Sequence, residues 1–390
     1  MVMVRPGVLA AALRVALIAT ACAGACAAGA PVRGGRDPIV QGAAGRELDA
    51  WISSEKNFPG GFSGCVLVAI GREVVLEKGW GVLDAARGTA MPPDAIFDWA
   101  SVTKQFTAAA VLKLEMQKKL ALDDPITRHF KDAPKEKAKV TVRHLLDHTS
   151  GIPDDLAFQG VDLFSREAVV RRILEAPLVS EPGRQWKYNN AAYFLAGALI
   201  ETASGTSYES YLRRHLFEPA GMEDAGVIGD GRVDLARVPM ESRGRGAQFA
   251  YGPLLSWGYR GAGGVLGSVR DMLKWDHALR GDKLLSKAAK RKLYEPRLED
   301  YALGWLVKEG PGGTRVLHGG SVGTIRTGYL RLLDEPLVVA LACNDVPERH
   351  PHELVETLAG IARGAKRRPP RRVRRRDRQF PSRAGGCASR

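Results

Sequence analysis

The sequence is poor in the features that would tie it to a metal or a membrane. It has five cysteines and eight histidines in 390 residues, and no cysteine spacing of the kind that holds a structural metal. No metal or organic cofactor is expected. Beyond the first thirty residues no apolar run is long enough to span a bilayer. There is no internal repeat. A strong net charge is missing too, once its location is seen. The formal charge is +14, but twelve Lys or Arg lie between Arg363 and Arg390 against the single acid Asp377, so that segment carries +11 and the rest of the chain about +3. The basicity is a tail rather than a binding face, and nucleic acid is not expected as a partner.

The two ends read as extensions of a folded middle. Residues 1–30 read as an export signal: Arg5 gives a short positive start, an apolar run of small residues follows, and small residues near 21–29 suit a cleavage site. Arg14 argues against a permanent membrane anchor. Cys22 follows Ala-Thr-Ala and Cys26 follows Ala-Gly-Ala; either is a candidate for the lipid-modified cysteine of a bacterial lipoprotein, although neither has the usual Leu three residues earlier. Cleavage after Ala27 or Ala30 is the alternative. The expected location is therefore the periplasm, the medium or, by a lipid anchor, the cell envelope. Residues 31–45 read as a Pro/Gly/Arg-rich linker. The tail, 363–390, has too few apolar residues to offset its ordering entropy and reads as disordered, either a solvated extension or an adhesive for anionic lipid or polymer.

Between the ends, 46–362 reads as one mixed α/β (α+β) domain. A first helix is expected over 46–57. Cys65 to Ile70 is a β-branched-rich run, Gly71 turns it, and Val74-Val75-Leu76 answers it as the second strand of a hairpin. From about 125 to 300 helical stretches dominate, separated by Gly/Pro turns, as in a helical lobe inserted into an α/β body. Strands return in TRVLHGG, TIRTGYLRLL and EPLVVALACND, and a last helix closes the chain. Cys65 and Cys343 both fall in strands; export would permit a disulfide, whereas buried free thiols are the commoner case.

One stretch organises the rest. FDWASVTKQFTAAAVLKLEMQKKL, 97–120, reads as a short extended run turning into a helix that is apolar on most sides and therefore interior. Ser101 stands at the turn in a helix N-cap position. Lys104, three residues on, shares its face. Burial lowers a lysine's pKa, and a neutral amine can take a serine proton. Ser-x-x-K also occurs at Ser53 and Lys56, where charge, Pro and Gly mark a solvated helix end; the buried helix behind Ser101 separates the two copies. Two further stretches stand out. Tyr188 and Asn190 enter a helix, where Asn190 by itself would read as a cap, and a tyrosine near a lysine can have a lowered pKa and act as a general base. His318, Gly319, Gly320 and Ser321 end a strand, where glycine permits close approach of a substrate.

The order S-x-x-K, Y-x-N, H-G-G resembles the serine β-lactamase and penicillin-binding protein superfamily. The resemblance runs over roughly 45–360 and is nearest the branch with class C β-lactamases, D-alanyl-D-alanine carboxypeptidases and related esterases. It extends to LLDHTSGIPD (145–154), GAGGVLGSVRDMLKW (261–275) and YALGW (301–305). It implies a β-lactamase/transpeptidase-like fold, an antiparallel sheet flanked by helices. It implies that Ser101 attacks a carbonyl to form an acyl-enzyme, that Lys104 and Tyr188 share the proton work, and that Asn190 holds the substrate amide or the Lys104 amine. His318, Gly319 and Gly320 fall on the family's third motif and would line the substrate. The backbone N–H groups of Ser101 and Ser321 would form the oxyanion hole. Many β-lactamases carry Lys-Thr-Gly in that motif; an imidazole and a glycine make a weaker anion site.

Two other patterns compete. Gly319 to Gly323 matches the G-x-S-x-G nucleophile elbow, with Asp345 and His350 or His352 as partners for Ser321, but an elbow requires a helix after the serine and strand follows here. The glycine run at 261–267 lacks the preceding apolar strand of a nucleotide loop and reads as close packing near the site. The expectation is an exported, monomeric serine hydrolase acting on a small molecule or peptide, a short-chain ester or a D-amino-acid peptide. A true β-lactamase and a catalytically retired binder of cell-wall peptide are the alternatives. As a solvated extension, the tail should leave binding to anionic vesicles unchanged when the chain is truncated after Gly364. Salt-dependent binding lost on truncation would instead make it an attachment device.

Overall fold

Strand-forming runs from the two ends of the chain meet in one sheet. The computed structural model describes residues 36–154, 165–239, 257–310, 312–345 and 349–364. The export signal, Cys22, Cys26 and the tail beyond Gly364 lie outside them. The described chain enters on β1 (Ile39–Val40) and α1 (Gly42–Ile52), then forms the hairpin β2 (Gly64–Ile70) and β3 (Glu73–Trp80) and the short pair β4 (Val82–Asp84) and β5 (Thr89–Ala90). β6 (Phe97–Asp98) leads through a 3-10 turn (Ala100–Val102) into α2 (Thr103–Met116). A largely helical stretch follows: α3 (Val142–Leu146), α4 (Arg166–Glu175), α5 (Asn190–Ser204), α6 (Tyr208–Leu212) and α7 (Glu218–Ala220). β7 (Gly226–Val227) and β8 (Val265–Gly267) precede α8 (Val269–Arg280) and α9 (Lys287–Tyr294). The chain ends in β9 (Leu306–Lys308), β10 (Arg315–Val322), β11 (Ile325–Leu332), β12 (Leu337–Cys343) and α10 (Pro351–Ala362).

The main sheet has the order β1-β3-β2-β12-β11-β10-β9, antiparallel throughout. The N-terminal hairpin joins the C-terminal strands where Leu67 lies opposite Ala340. Both faces are covered. Along β2, Cys65 and Leu67 belong to the core on the side that α8 covers, which continues to α2 and α5, and Val66 and Val68 belong to the core shared with α1 and α10 on the other. The strands are therefore continuous apolar runs rather than alternating ones.

The alternation also decides the cysteines. Cys65 lies opposite Ala342, and Cys343 lies opposite Gly64, in adjacent register positions of one strand pair. Their side chains enter opposite layers, so both stay as buried free thiols. Boundaries near the N-terminus differ from the sequence reading. The segment read as a linker forms a strand from Ile39, which pairs with Glu77, and the first helix runs over Gly42–Ile52 rather than 46–57. Its glycines and alanines carry little apolar signal, but Val75 O accepts from Gln41 N–H at 2.8 Å and fastens the segment to β3. The stretch read as a helical lobe also holds β7 and β8, which join β6 in a separate three-stranded sheet.

That small sheet and the main sheet hold the turn at Ser101 between them. β10 runs so close to the turn that a Cβ on Gly320 would stand 2.6 Å from Trp99 O and 2.9 Å from Ala100 Cβ. Gly320→Val must push the two backbones apart. We expect it to cost about 1–3 kcal/mol, as overpacking does, and to slow the reaction of Ser101 with an active-site probe. Urea unfolding and probe labelling measure both, and unchanged values would show that β10 does not press on the turn.

Candidate active site

The turn comes first, because it aims the serine. Ser101 is not the N-cap of α2; Val102 takes that position, and Ser101 sits half-buried in the 3-10 turn before it. The preceding Ala100 has φ 46, a left-handed conformation that a side chain rarely adopts. Asp98 supports it: its Oδ1 accepts from Ala100 N–H at 2.7 Å and from Gly264 N–H at 3.3 Å. Burial pushes the Asp98 carboxyl up to about 6, against the pull of these N–H groups. Trp99 N–H donates to Val265 O at 2.8 Å, and Thr327 Oγ1 donates to Trp99 O at 2.9 Å. Strands of both sheets thus fix the backbone beside the serine.

α2 is buried on nearly every side from Thr103 to Leu112, so Lys104 has no route to water. Its Nζ lies 3.2 Å from Ser101 Oγ, 2.8 Å from Asn190 Oδ1 and 3.1 Å from the Ala262 carbonyl. Loss of solvation lowers the amine to about 7, and the charge of Asp154 opposes the shift. A neutral amine has two N–H bonds and one lone pair. Asn190 Oδ1 and Ala262 O are acceptors only and take both N–H groups, so the lone pair faces the Ser101 hydroxyl. The Ala262 carbonyl reaches the amine because Gly261 (φ 88) lets its loop touch α5; a Cβ there would lie 2.2 Å from Tyr193 O. The glycine run at 261–267 therefore packs backbones at the site, as its sequence suggested.

The second motif enters on α5. Asn189 caps that helix through Ala192 N–H, which frees Asn190 to hold Lys104. Tyr188 presents its ring to the amine, with Nζ 4.8 Å from the ring centre. Its pKa is raised, not lowered as a neighbouring lysine suggested. Burial dominates, and an interaction of its hydroxyl with Ser101 only moderates it. The phenol is neutral and a proton donor at pH 7.

The third motif lies on β10. His318 is 4% exposed on a strand, not in a surface loop. Its Nδ1–H donates to Gly319 O at 2.7 Å, so Nε2 accepts from the Tyr301 hydroxyl at 3.0 Å. Burial, with the Lys104 charge as a smaller cause, lowers it to about 3, so this imidazole carries no charge in neutral solution. β10 turns into β11 through Gly323 (φ 53) and Thr324, so Val322 and Ile325 close the hairpin. The next pair, Ser321 and Arg326, turns its backbone groups away from one another. Among the described residues β9 covers β10 only from Arg315 to Leu317, which leaves the Ser321 N–H on the open edge beside the turn. The hairpin also removes the elbow reading of Ser321, since β11 and not a helix follows it. The Ser53 copy of Ser-x-x-K is equally inert: Ser53 is the exposed C-cap of α1.

The structure adds groups that the motifs did not supply. The Ala262 carbonyl is a backbone acceptor and leaves no residue-type signal. Asp154 accepts from Asn190 N–H at 2.7 Å. Tyr301 donates to the Nε2 of His318 that the Gly319 contact leaves unprotonated, and His148 is buried among Tyr188, Tyr193 and Tyr301 with ring centres 4.4 to 5.1 Å away. His148, Asp154 and Tyr301 all lie inside stretches that carried the family resemblance.

The Ser101 hydroxyl, the buried Lys104 amine from the next helix turn and Asn190 from a second helix thus meet at one point. The chain belongs to the beta-lactamase family. The family profile matches residues 45–362. The chain is similar to penicillin-binding protein 4* of Bacillus subtilis (strain 168), 28% identical over 308 residues, which make up 70% of this chain and 66% of that relative. It thus spans just under two thirds of that protein's length. It is also similar to esterase EstB of Burkholderia gladioli, 31% identical over 283 residues, 61% of this chain and 72% of the esterase. Among solved structures, the octameric penicillin-binding protein homologue from Pyrococcus abyssi superposes with TM-score 0.73 at 25% identity, over 82% of this chain and 78% of that one. The fold of this beta-lactamase family member is the serine β-lactamase/penicillin-binding protein fold that the sequence motifs implied. No helix among its described residues is long and apolar enough to cross a membrane.

The lysine geometry fixes a sign. With its amine lowered to about 7, Lys104 is a base above that pH and an ammonium below it. The rate of Ser101 labelling should therefore rise with pH through about 7 and then level. Lys104→Arg stays protonated at every accessible pH and should be slower by about 10²–10⁴-fold, the worth of a lost general base. A flat profile in the wild type would remove Lys104 from the role of base.

Proposed function

We propose that this chain is a serine hydrolase that cleaves an ester or amide through an acyl-enzyme at Ser101. One observation carries the reading: the buried Lys104 Nζ lies 3.2 Å from Ser101 Oγ while two groups that can only accept, Asn190 Oδ1 and the Ala262 carbonyl, hold it at 2.8 and 3.1 Å, so that in its neutral form the lone pair is left for the Ser101 hydroxyl. As Ser101 Oγ bonds to the substrate carbonyl carbon, its proton passes to Lys104 Nζ. The carbonyl oxygen becomes an oxyanion facing the N–H groups of Ser101 and Ser321, each such donor contributing about 3–4 kcal/mol in the transition state. The leaving group then departs with a proton from the Tyr188 hydroxyl, which Lys104 replaces. Water repeats the sequence in reverse to free the acid. Tyr188 acts here as a donor, because burial keeps its phenol protonated.

The third motif favours a substrate without a carboxylate. His318 is neutral, and Gly319 brings no hydroxyl, so neither of the two groups that bind a β-lactam carboxylate in Lys-Thr-Gly enzymes is present on β10. A short-chain ester fits best, and the likeness to an esterase supports that choice. A D-amino-acid amide or peptide comes next. The N-terminal signal in the sequence supports export of the enzyme.

The test begins with intact mass after treatment with a fluorophosphonate, on wild type and Ser101→Ala. A single adduct on wild type, absent from the variant, is expected. Turnover of p-nitrophenyl acetate and butyrate should then exceed that of a D-alanyl-D-alanine peptide and a chromogenic cephalosporin by about 10- to 100-fold in kcat/KM, the worth of one charge-assisted hydrogen bond. An adduct that survives Ser101→Ala would overturn the nucleophile. Faster turnover of the cephalosporin would make the chain a true β-lactamase. No adduct and no turnover in folded protein would leave a binding protein.

A further inference from the structure

His148 holds the segment on both sides of Tyr188. Its carbonyl accepts from Lys187 N–H at 2.9 Å, and its Nδ1 accepts from Asn189 N–H at 3.1 Å. Its ring packs against the Tyr188 ring at a tilt of 44°, with centres 4.4 Å apart, and it is 1% exposed. The backbone is set for this contact. His148 has φ 61, in the left-handed region, where His is among the few non-glycine residues enriched. The turn is tied across it, since Thr149 N–H and Thr149 Oγ1 donate to Asp147 Oδ1 at 3.2 and 2.5 Å. Tyr193 and Tyr301 close the remaining sides of the imidazole. Because Nδ1 accepts a backbone N–H, the ring is the neutral tautomer with its proton on Nε2.

We infer that His148 is a positioning residue, a clamp that fixes the Tyr188 hydroxyl against Ser101 by gripping the backbone before and after it and packing against its ring. A structural histidine at this place would need only to fill space. This one has a backbone acceptor, a ring acceptor and a ring contact all directed at three consecutive residues, 187–189. The inference rests on the proposed role of Tyr188 in the acyl transfer.

The experiment is a double-mutant cycle read by the rate of fluorophosphonate labelling and of ester turnover. His148→Asn keeps a residue tolerant of the left-handed backbone and removes the ring. Alone it should slow both rates by roughly 10²-fold, the effect of misplacing a catalytic group by about an ångström. In a Tyr188→Phe background it should change them by less than about threefold, because the hydroxyl it positions is already gone. Losses that multiply, or a wild-type rate for His148→Asn beside a slow Tyr188→Phe, would overturn the clamp alone. A wild-type rate for Tyr188→Phe would instead remove the role of Tyr188, and the purpose of the clamp with it. If His148→Asn does not fold, ¹⁵N-histidine NMR of the wild-type chain decides. The expected signal is a neutral ring with a hydrogen-bonded, unprotonated Nδ1; a proton on Nδ1 would overturn the clamp.

Discussion

The dry amine of Lys104 is the constraint on which this site depends. An ammonium with no water around it is expensive, and α2 gives Lys104 none, because that helix is buried from its first residue. Two influences then oppose one another. Burial drives the proton off, while the Asp154 charge and the ring faces of Tyr188 and Tyr193, 4.8 and 5.4 Å from Nζ, favour keeping it. The balance near 7 is what a base for a serine requires, since a much lower value would make the amine too weak to take the proton. Three separate segments must meet for this balance to hold: α2 brings the amine, α5 brings Asn190, and the 261–267 loop brings a carbonyl. The helical stretch between the two halves of the sheet is there to deliver the last two.

The second requirement is a serine that points at the amine and a backbone N–H that points at the same substrate oxygen. α2 alone cannot give both. A serine inside a regular first turn would have its free N–H aimed along the helix axis. The chain instead places Ser101 in a 3-10 turn behind a strained Ala100, and the strain is held by Asp98 below and by Thr327 of β11 beside it. The main sheet contributes through β10, whose glycine at 320 lets it lie on that turn. Catalytic geometry here is therefore a property of two sheets and a helix at once, which fits an active site that spans the length of the domain in sequence, from Asp98 to Ser321.

Much of this was legible in the residues, and what was not has definite physical reasons. α2 declared itself as an interior helix by being apolar on most sides, and α5 was visible as a helical stretch. β2 was visible as a β-branched-rich run turned by Gly71, and β10 to β12 as strand-like runs near the end of the chain. Ser101, Lys104, Tyr188, Asn190 and His318 came from motif order, and the fold brings the first four to one amine. Other details depend on three dimensions. The N-cap reading of Ser101 assumed that a helix starts at the first polar residue, whereas a 3-10 turn intervenes. The lowered phenol of Tyr188 was inferred from a neighbouring positive charge. Burial lowers the Lys104 amine to about 7, which weakens that charge at neutral pH, and makes the phenoxide costlier still, so the direction reverses. A backbone carbonyl such as that of Ala262 has no sequence signature at all. The start of α1 was hidden because Gly42 to Gly45 looks like linker, and only its pairing with β3 orders it.

The charge state of the assembled groups explains why the third motif can dispense with its usual cation. Above neutral pH Lys104 is an amine, Tyr188 a phenol and His318 a neutral imidazole. The resting cleft around the serine thus holds no fixed charge on these groups, and in the proposed reaction a neutral ester would enter it without displacing a counter-ion. Attack, as proposed, changes this in one step. The proton taken from Ser101 makes an ammonium at Lys104 while the carbonyl oxygen becomes an anion a few ångströms away. Both charges appear in a medium of low dielectric, where their attraction is large. Neither existed in the ground state, so that attraction lowers the barrier without tightening substrate binding. A permanent cation at His318 would give up part of this advantage: it would raise the energy of the Lys104 ammonium just as it forms. A neutral third motif and a lysine base are thus physically matched in this chain.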